Sequence, residues 1–142
     1  MIIKQISIFI ENQKGALSDV LGILKAANIN IRALSLADTT DFGILRLIVD
    51  QPEEAIKTLK EKHITVALTE VVAIEVPDNA GGLSGAVKIL SDADISIEYM
   101  YAFVGTITSN AIVIMKFSDI QKAIECLSAN NVKVVLSKDI YK

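Results

Sequence analysis

The chain has 142 residues and a formal net charge of −3, with a pI near 5.1; this acidic balance argues against a nucleic-acid or anionic-membrane surface as its partner. Apolar residues make up 51% of the sequence and mean hydropathy is +0.46. No apolar run approaches the roughly 18 residues needed to cross a bilayer, so the excess is expected in cores and interfaces.

A single cysteine, Cys126, excludes an internal disulfide, and Met1-Ile-Ile-Lys4 lacks the layout of a signal peptide. Both imply a cytoplasmic protein.

From the start, Ile6, Ile8 and Ile10 alternate with Ser7, Phe9 and Glu11, the period of a half-buried strand. Asn12-Gln-Lys-Gly15 is a turn. Leu17, Val20, Leu21 and Leu24 recur at helical spacing and form one apolar stripe. Asn28 ends that helix, and a strand resumes over residues 29–34. Asp38-Thr-Thr-Asp-Phe-Gly43 has turn chemistry and closes a hairpin with a strand over residues 44–49. Asp50 is placed to cap a second helix, with Pro52 in its first turn and Ala55, Ile56 and Leu59 on its core face. Residues 65–68 form a last strand, and Thr69-Glu70-Val71 serves as the connection.

The same order then recurs. Strand 72–76, helix 82–92, strand 95–102, strand 111–117, helix 119–129 and strand 132–137 are predicted, with Ser118-Asp-Ile-Gln121 as a capping box. Gly15 and Gly81 stand 66 positions apart, as do Leu17 and Leu83, Leu24 and Leu90, and Ile31 and Ile97. Beyond the hairpin the offset becomes 68, setting Ala55 on Ala123 and Leu59 on Leu127. A repeat of this length is the size of a small domain, not of a solenoid unit.

The order β-α-β-β-α-β, twice, predicts an α+β protein: two ferredoxin-like βαββαβ sandwiches in tandem, residues 1–70 and 71–142. So short a connection implies domains held in fixed relation. With both helices on one sheet face, Ile44, Arg46 and Ile48, Ile112, Ile114 and Lys116, and Phe9 point the other way. An apolar face of this kind is expected to be an interface between repeats or between chains, unless a strand bulge has swapped the two faces.

Chemistry-bearing residues are sparse. His63 and Cys126 are single residues on distant elements, so no nucleophile–base pair is suggested. Cys126 reads as a small apolar helix residue and His63 as a cation at a helix end. No Cys or His spacing suits a metal, no cofactor motif is present, and Phe9 alone does not make an RNA-binding strand face. What remains is the glycine between first strand and first helix in each copy. There the backbone can approach a ligand, and unpaired helix amides favour a carboxylate; the same glycine can equally well satisfy a turn.

The run strand–Asn12-x-x-Gly15-x-Leu17–helix–Asn28-Ile-Asn-Ile31–strand resembles the ACT domain, a small-molecule-binding regulatory module of ferredoxin-like fold. Gln13 and Lys14 stand where that family usually has Arg-Pro, and the second copy, Pro77-Asp-Asn-Ala-Gly-Gly-Leu83, keeps only the glycine and hydrophobic positions. The resemblance covers nearly the whole chain as two ACT domains without a catalytic domain. It implies an amino-acid ligand between two ACT domains, with one domain's loop facing the start of another's second strand. The loop residues would then be Asn12, Gln13, Lys14, Gly15, Ala16 and Leu17 in the first copy. In the second they would be Asp78, Asn79, Ala80, Gly81, Gly82 and Leu83. The facing strand starts would be Asn30 and Ile31, and Ser96 and Ile97. Asn12 opposed to Ser96 and Asp78 opposed to Asn30 would differ in charge and donors, so unequal affinities are expected. The implied protein is a non-enzymatic amino-acid-binding regulator. It is expected to be a homodimer, with an enzyme of amino-acid metabolism as a possible partner; the other reading is a ligand-free interaction module for such an enzyme or a transporter.

Overall fold

The computed structural model describes residues 1–11, 13–38, 42–104 and 107–141. Strands β1 (Ile2–Glu11), β2 (Ile31–Asp38), β3 (Phe42–Val49) and β4 (Val66–Val76) alternate with helices α1 (Ala16–Ala26) and α2 (Pro52–Glu61). Helix α3 (Gly82–Asp92), strands β5 (Ile97–Ala102) and β6 (Ala111–Phe117), helix α4 (Ile120–Ala129), strand β7 (Lys133–Val134) and the short α5 (Ser137–Ile140) follow. Two compact units result: Lys4–Thr69 with Tyr141, and Glu70–Ile140 with Met1–Ile3. No helix among the described residues is long and apolar enough to cross a membrane.

In the first unit β1 pairs antiparallel with β3, and β3 with β2. In the second, β7, β4, β6 and β5 follow one another in antiparallel order, the 4-1-3-2 strand order of a ferredoxin-like sandwich. Leu45, Leu47 and Val49 of β3 join Ile6, Ile8 and Ile10 of β1 under Val20, Leu24, Ala55 and Leu59 of the two helices. The second core repeats this with Val72, Ile74 and Val76, Val113, Met115 and Phe117, and Ala86, Leu90, Ala123 and Leu127. Alternation on the strands and 3.6-residue spacing on the helices thus meet in one apolar layer per unit, each fully buried leucine contributing about 2 kcal/mol.

All four long helices end alike. Asn28, His63, Asp94 and Asn131 each have φ near 60°, in the left-handed region. The following amide then reaches back five residues, as Ile29 N to Leu24 O at 3.0 Å and Val132 N to Leu127 O at 2.9 Å. This Schellman closure is usually built on glycine; Asn, Asp and His are the side chains that best tolerate its φ.

Four expectations are corrected. Thr69-Glu70-Val71 is not a connection but the middle of β4, because Val66–Val76 extends without interruption. Asp50 does not cap α2; Gln51 holds that position without a capping bond, its Nε2 donating instead to the Asn28 carbonyl at 3.3 Å, while Asp50 Oδ1 accepts the Asn30 amide at 2.9 Å. Ser118 yields the α4 cap to Asp119, whose carboxylate accepts Lys122 N at 3.1 Å. The final strand shrinks to Lys133–Val134, and residues 137–140 turn into α5, which buries Ile140.

Strand directions in β3 and β6 are as read from the alternation, and the bulges lie in β2 and β5, between Ile31 and Ala33 and between Ile97 and Tyr99. The face away from the helices is nevertheless not all open. Ile48, Ile112 and Ile114 are buried, whereas Phe9 is 50% exposed. The hairpin tip at 39–41, like Asn12, Gly105, Thr106 and Lys142, lies outside the described residues.

Candidate functional site

The two strand-to-helix loops close on the same backbone device. Gly15 has φ 90° and ψ −10°, Gly81 φ 87° and ψ −5°, and each is the N-cap of the helix that follows. Neither helix has a side-chain cap. The first helical amides, of Ala16 and Gly82, donate to the loop carbonyls of Gln13 at 3.2 Å and Asn79 at 3.1 Å. The amides of Leu17 and Ser18, and of Leu83 and Ser84, are left without a capping side chain, at the positive end of the helix dipole. Gly82 has a further reason to be glycine: a Cβ there would stand 2.0 Å from the Pro77 carbonyl oxygen.

Clefts flank these loops. In the first unit a cleft of about 680 Å³ runs past Phe9, Phe42, Glu11, Asp19, Lys62 and His63. Phe9 and Phe42 meet edge to face there, with centroids 5.6 Å apart at 70°. A smaller one of about 310 Å³ lies between Gln13, Leu17, Leu36 and Gly43. In the second unit a cleft of about 410 Å³ is bounded by Glu75, Pro77, Asn79, Gly81, Asn131 and Val132. The first and third are repeat equivalents, since His63 and Ile64 correspond to Asn131 and Val132.

Among the sequence-predicted residues, Asn12 lies outside those described. Gln13 and Ala16 line the larger cleft of the first unit, and Gln13 and Leu17 the smaller. Lys14 and Gly15 are exposed on the turn, as is Asp78 on its counterpart. Asn79, Ala80, Gly81 and Gly82 line the cleft of the second unit, while Leu17 and Leu83 also pack against the two cores.

Asn30 and Ile31 are not brought to the Gly15 loop of their own repeat, nor Ser96 and Ile97 to the Gly81 loop. Strand two starts at the far end of an 11-residue helix, about 16 Å away at 1.5 Å per residue. Asn30 instead exchanges two bonds with Asp50, its amide to Oδ1 at 2.9 Å and its carbonyl from the Asp50 amide at 3.1 Å. Ser96 and Ile97 line a separate hollow of about 330 Å³ beside Ser91 and Asp94.

The lining residues that sequence reasoning missed include Phe42, Glu75 and Asn131. Glu75 carried a signal, being the lone charge in the apolar run Val71–Val76 and the repeat equivalent of Phe9. His63 does sit at a helix end, in the left-handed position that closes α2, and lines the cleft from there. Cys126 packs in α4 against the second core, with Sγ 3.8 Å from the Ile89 carbonyl oxygen. Among the described residues no group of three or more His, Cys, Asp or Glu is arranged to hold a metal. The Lys4 ammonium, 3.0 Å from Glu53 Oε1, holds that carboxyl below the usual glutamate value.

Residues 1–142 match the family described as an ACT domain pair. A crystal structure of a protein from Bacteroides thetaiotaomicron superposes with a TM-score of 0.93 at 42% identity, covering 100% of this chain and 97% of that one. The ligand-free regulatory subunit of aspartate kinase from Thermus thermophilus gives 0.64 at 18% identity, over 89% of each chain. The corresponding subunit from Thermus flavus gives 0.58 at 14%, over 89% and 90%. At those identities the two Thermus proteins share the fold. No curated protein matches.

Proposed function

We infer that this chain, which belongs to the ACT domain family as a pair of domains, is a non-enzymatic regulator that binds a free amino acid. The observation that carries the reading is the doubled loop: a left-handed glycine opening an uncapped helix, beside a cleft, in each repeat. Uncapped amides at a helix N-terminus are donors for a carboxylate. In this reading the loops 12–17 and 78–83 each face the strand-two start of another ACT domain, Asn30 and Ile31 or Ser96 and Ile97. The regulated partner is an enzyme of amino-acid metabolism, the role for which the Thermus neighbours are named.

A thermal-shift screen against the common amino acids tests this. A ligand at a hundred times its Kd stabilises the folded state by about 2.7 kcal/mol, so at least one amino acid should raise Tm by several degrees. Calorimetric titration of that amino acid should then resolve two unequal affinities, since Asp78 stands where the first repeat has Asn12. Two equal, independent sites would remove the basis for the inequality.

The reading as a ligand-free interaction module is favoured by one observation. Phe9 and Phe42 on one sheet face of the first unit, and Leu34 and Leu36 on the other, are all more than a third exposed, and exposed apolar side chains of this size suit a partner's surface. No Tm change with any amino acid, together with a copurifying enzyme, would decide for it.

A further inference from the structure

The hollow of about 310 Å³ beside the Gly15 loop is walled on the helix side of the first sheet. Ile10 and Leu17 pack there against the first core. Leu36 pairs with Leu45, and Gly43 with Ile10, both core residues, so strand alternation turns these two positions to the same side. A Cβ built on Gly43 would stand 3.4 Å from Leu36 Cδ1 and 3.5 Å from the Ala37 carbonyl oxygen, among the atoms that bound the hollow. Glu11 also borders it, but its ladder partner is Phe42, which puts its side chain on the opposite face. The walls on the helix side are therefore aliphatic, with the exposed Gln13 at the rim. Leu36 is 54% exposed, so an apolar group entering the hollow would take much of that wall out of water.

The second repeat is built differently at the same places. Ladder register sets Ala102 opposite Val113 and Ala111 opposite Val76, as Leu36 is opposite Leu45 and Gly43 opposite Ile10. Alanine thus replaces the leucine wall, and a methyl group stands where the first repeat has none.

We propose that this hollow is the side-chain pocket for an aliphatic amino acid whose carboxylate lies at the Gly15 loop. The proposal rests on the amino-acid reading above and names the class of its ligand. Leu17 joins the two halves: its amide is among those left uncapped in α1, and its side chain packs at the hollow. A space of this size suits a small ligand, and a polar or charged side chain would be desolvated there without a partner. A methylene group in an apolar pocket is worth about tenfold or more in selectivity.

Calorimetric titration with L-leucine, L-alanine and L-serine tests it, with amide shifts of the ¹⁵N-labelled chain to locate the site. Leucine should bind at least about tenfold more tightly than the other two and shift the amides of Leu17, Leu36 and Gly43. The Gly43 backbone lies outside the left-handed region, and the added methyl of Gly43→Ala meets Leu36 at an ordinary contact distance. That variant should keep the melting temperature of the free protein and weaken leucine binding at least about tenfold. Leu36→Ser removes a largely exposed wall and should weaken leucine in the same direction with little effect on alanine; it decides the matter if Gly43→Ala does not fold. The proposal is overturned if leucine binds no more tightly than alanine and serine, or if Leu36→Ser keeps the wild-type Kd for leucine. Binding led by serine or alanine would leave the amino-acid reading standing and remove this one, whereas no binding by any common amino acid would remove both.

Discussion

The two strand-to-helix loops share a backbone and differ in almost everything that touches the adjoining cleft. Gly15 and Gly81 differ by 3° in φ, and both helices begin one residue later without a side-chain cap. Yet Phe9 corresponds to Glu75 in the repeat alignment, Gln13 to Asn79, Ala16 to Gly82 and His63 to Asn131. The left-handed glycines agree between the copies, while most of the residues around the clefts differ, so one scaffold carries two clefts of different size and charge.

The sharpest way to break this comparison is at Gly82. A methyl group there would be driven into the Pro77 carbonyl, 2.0 Å from the ideal Cβ, whereas the first repeat already has Ala16 at that place. Gly82→Ala should cost about 3 kcal/mol, the upper range of overpacking, and Ala16→Gly less than about 1 kcal/mol. Urea unfolding of both variants checks the asymmetry, and equal losses would show that the loops are held alike.

A middle-sized effect of opposite sign is expected at the helix ends. His63 and Asn131 occupy the same left-handed position with φ 62° and 60°. A side chain there costs roughly 1 kcal/mol, less for asparagine, which visits this region more readily. His63→Gly should therefore stabilise by about 1 kcal/mol and Asn131→Gly by about half of that, read as shifts in the denaturation midpoint. A loss on His63→Gly would show that its ring makes contacts in the cleft that outweigh the strain.

The smallest effect concerns a pair that only the first repeat has. Lys4 donates to Glu53 at 3.0 Å, while the equivalent positions hold Glu70 and Gln121. Because the pair lowers the Glu53 pKa in the folded state, its stabilisation is present above the ordinary glutamate value. It is lost as pH falls through the lowered one. The stability gap between wild type and Glu53→Gln should thus close on acidification. Both side chains are largely exposed, so the gap is small and salt should shrink it further. A gap that persists in acid would point to packing instead of charge.

Much of the fold was legible because it rests on local periodicity. The alternation of Ile6, Ile8 and Ile10, the stripe of Val20 and Leu24, and their repeat 66 positions later placed strands and helices in the right order. The errors fall where a local signal had two outlets. Asp50 is a good cap by type, but its carboxylate serves the Asn30 amide. Residues 132–137 read as a strand, but β7 is confined to Lys133 and Val134, with one further backbone bond from Val135 N to Ala73 O before the chain turns into α5. Of the candidate site, the loop glycines were visible as turn formers. Asn131 and Phe42 were not, because they reach the clefts from elements distant in sequence.

Sequence alone determined that this protein is a duplicated β-α-β-β-α-β chain with two apolar layers and one loop glycine per copy. Those features follow from side-chain spacing and backbone freedom, which are properties of neighbouring residues. Tertiary structure decided that β4 runs through the presumed connection, that Ile48, Ile112 and Ile114 are buried, and that Glu75 has an oxygen without a donor. Burial and hydrogen-bond partnership depend on which distant strands and turns converge, and no local pattern encodes that convergence.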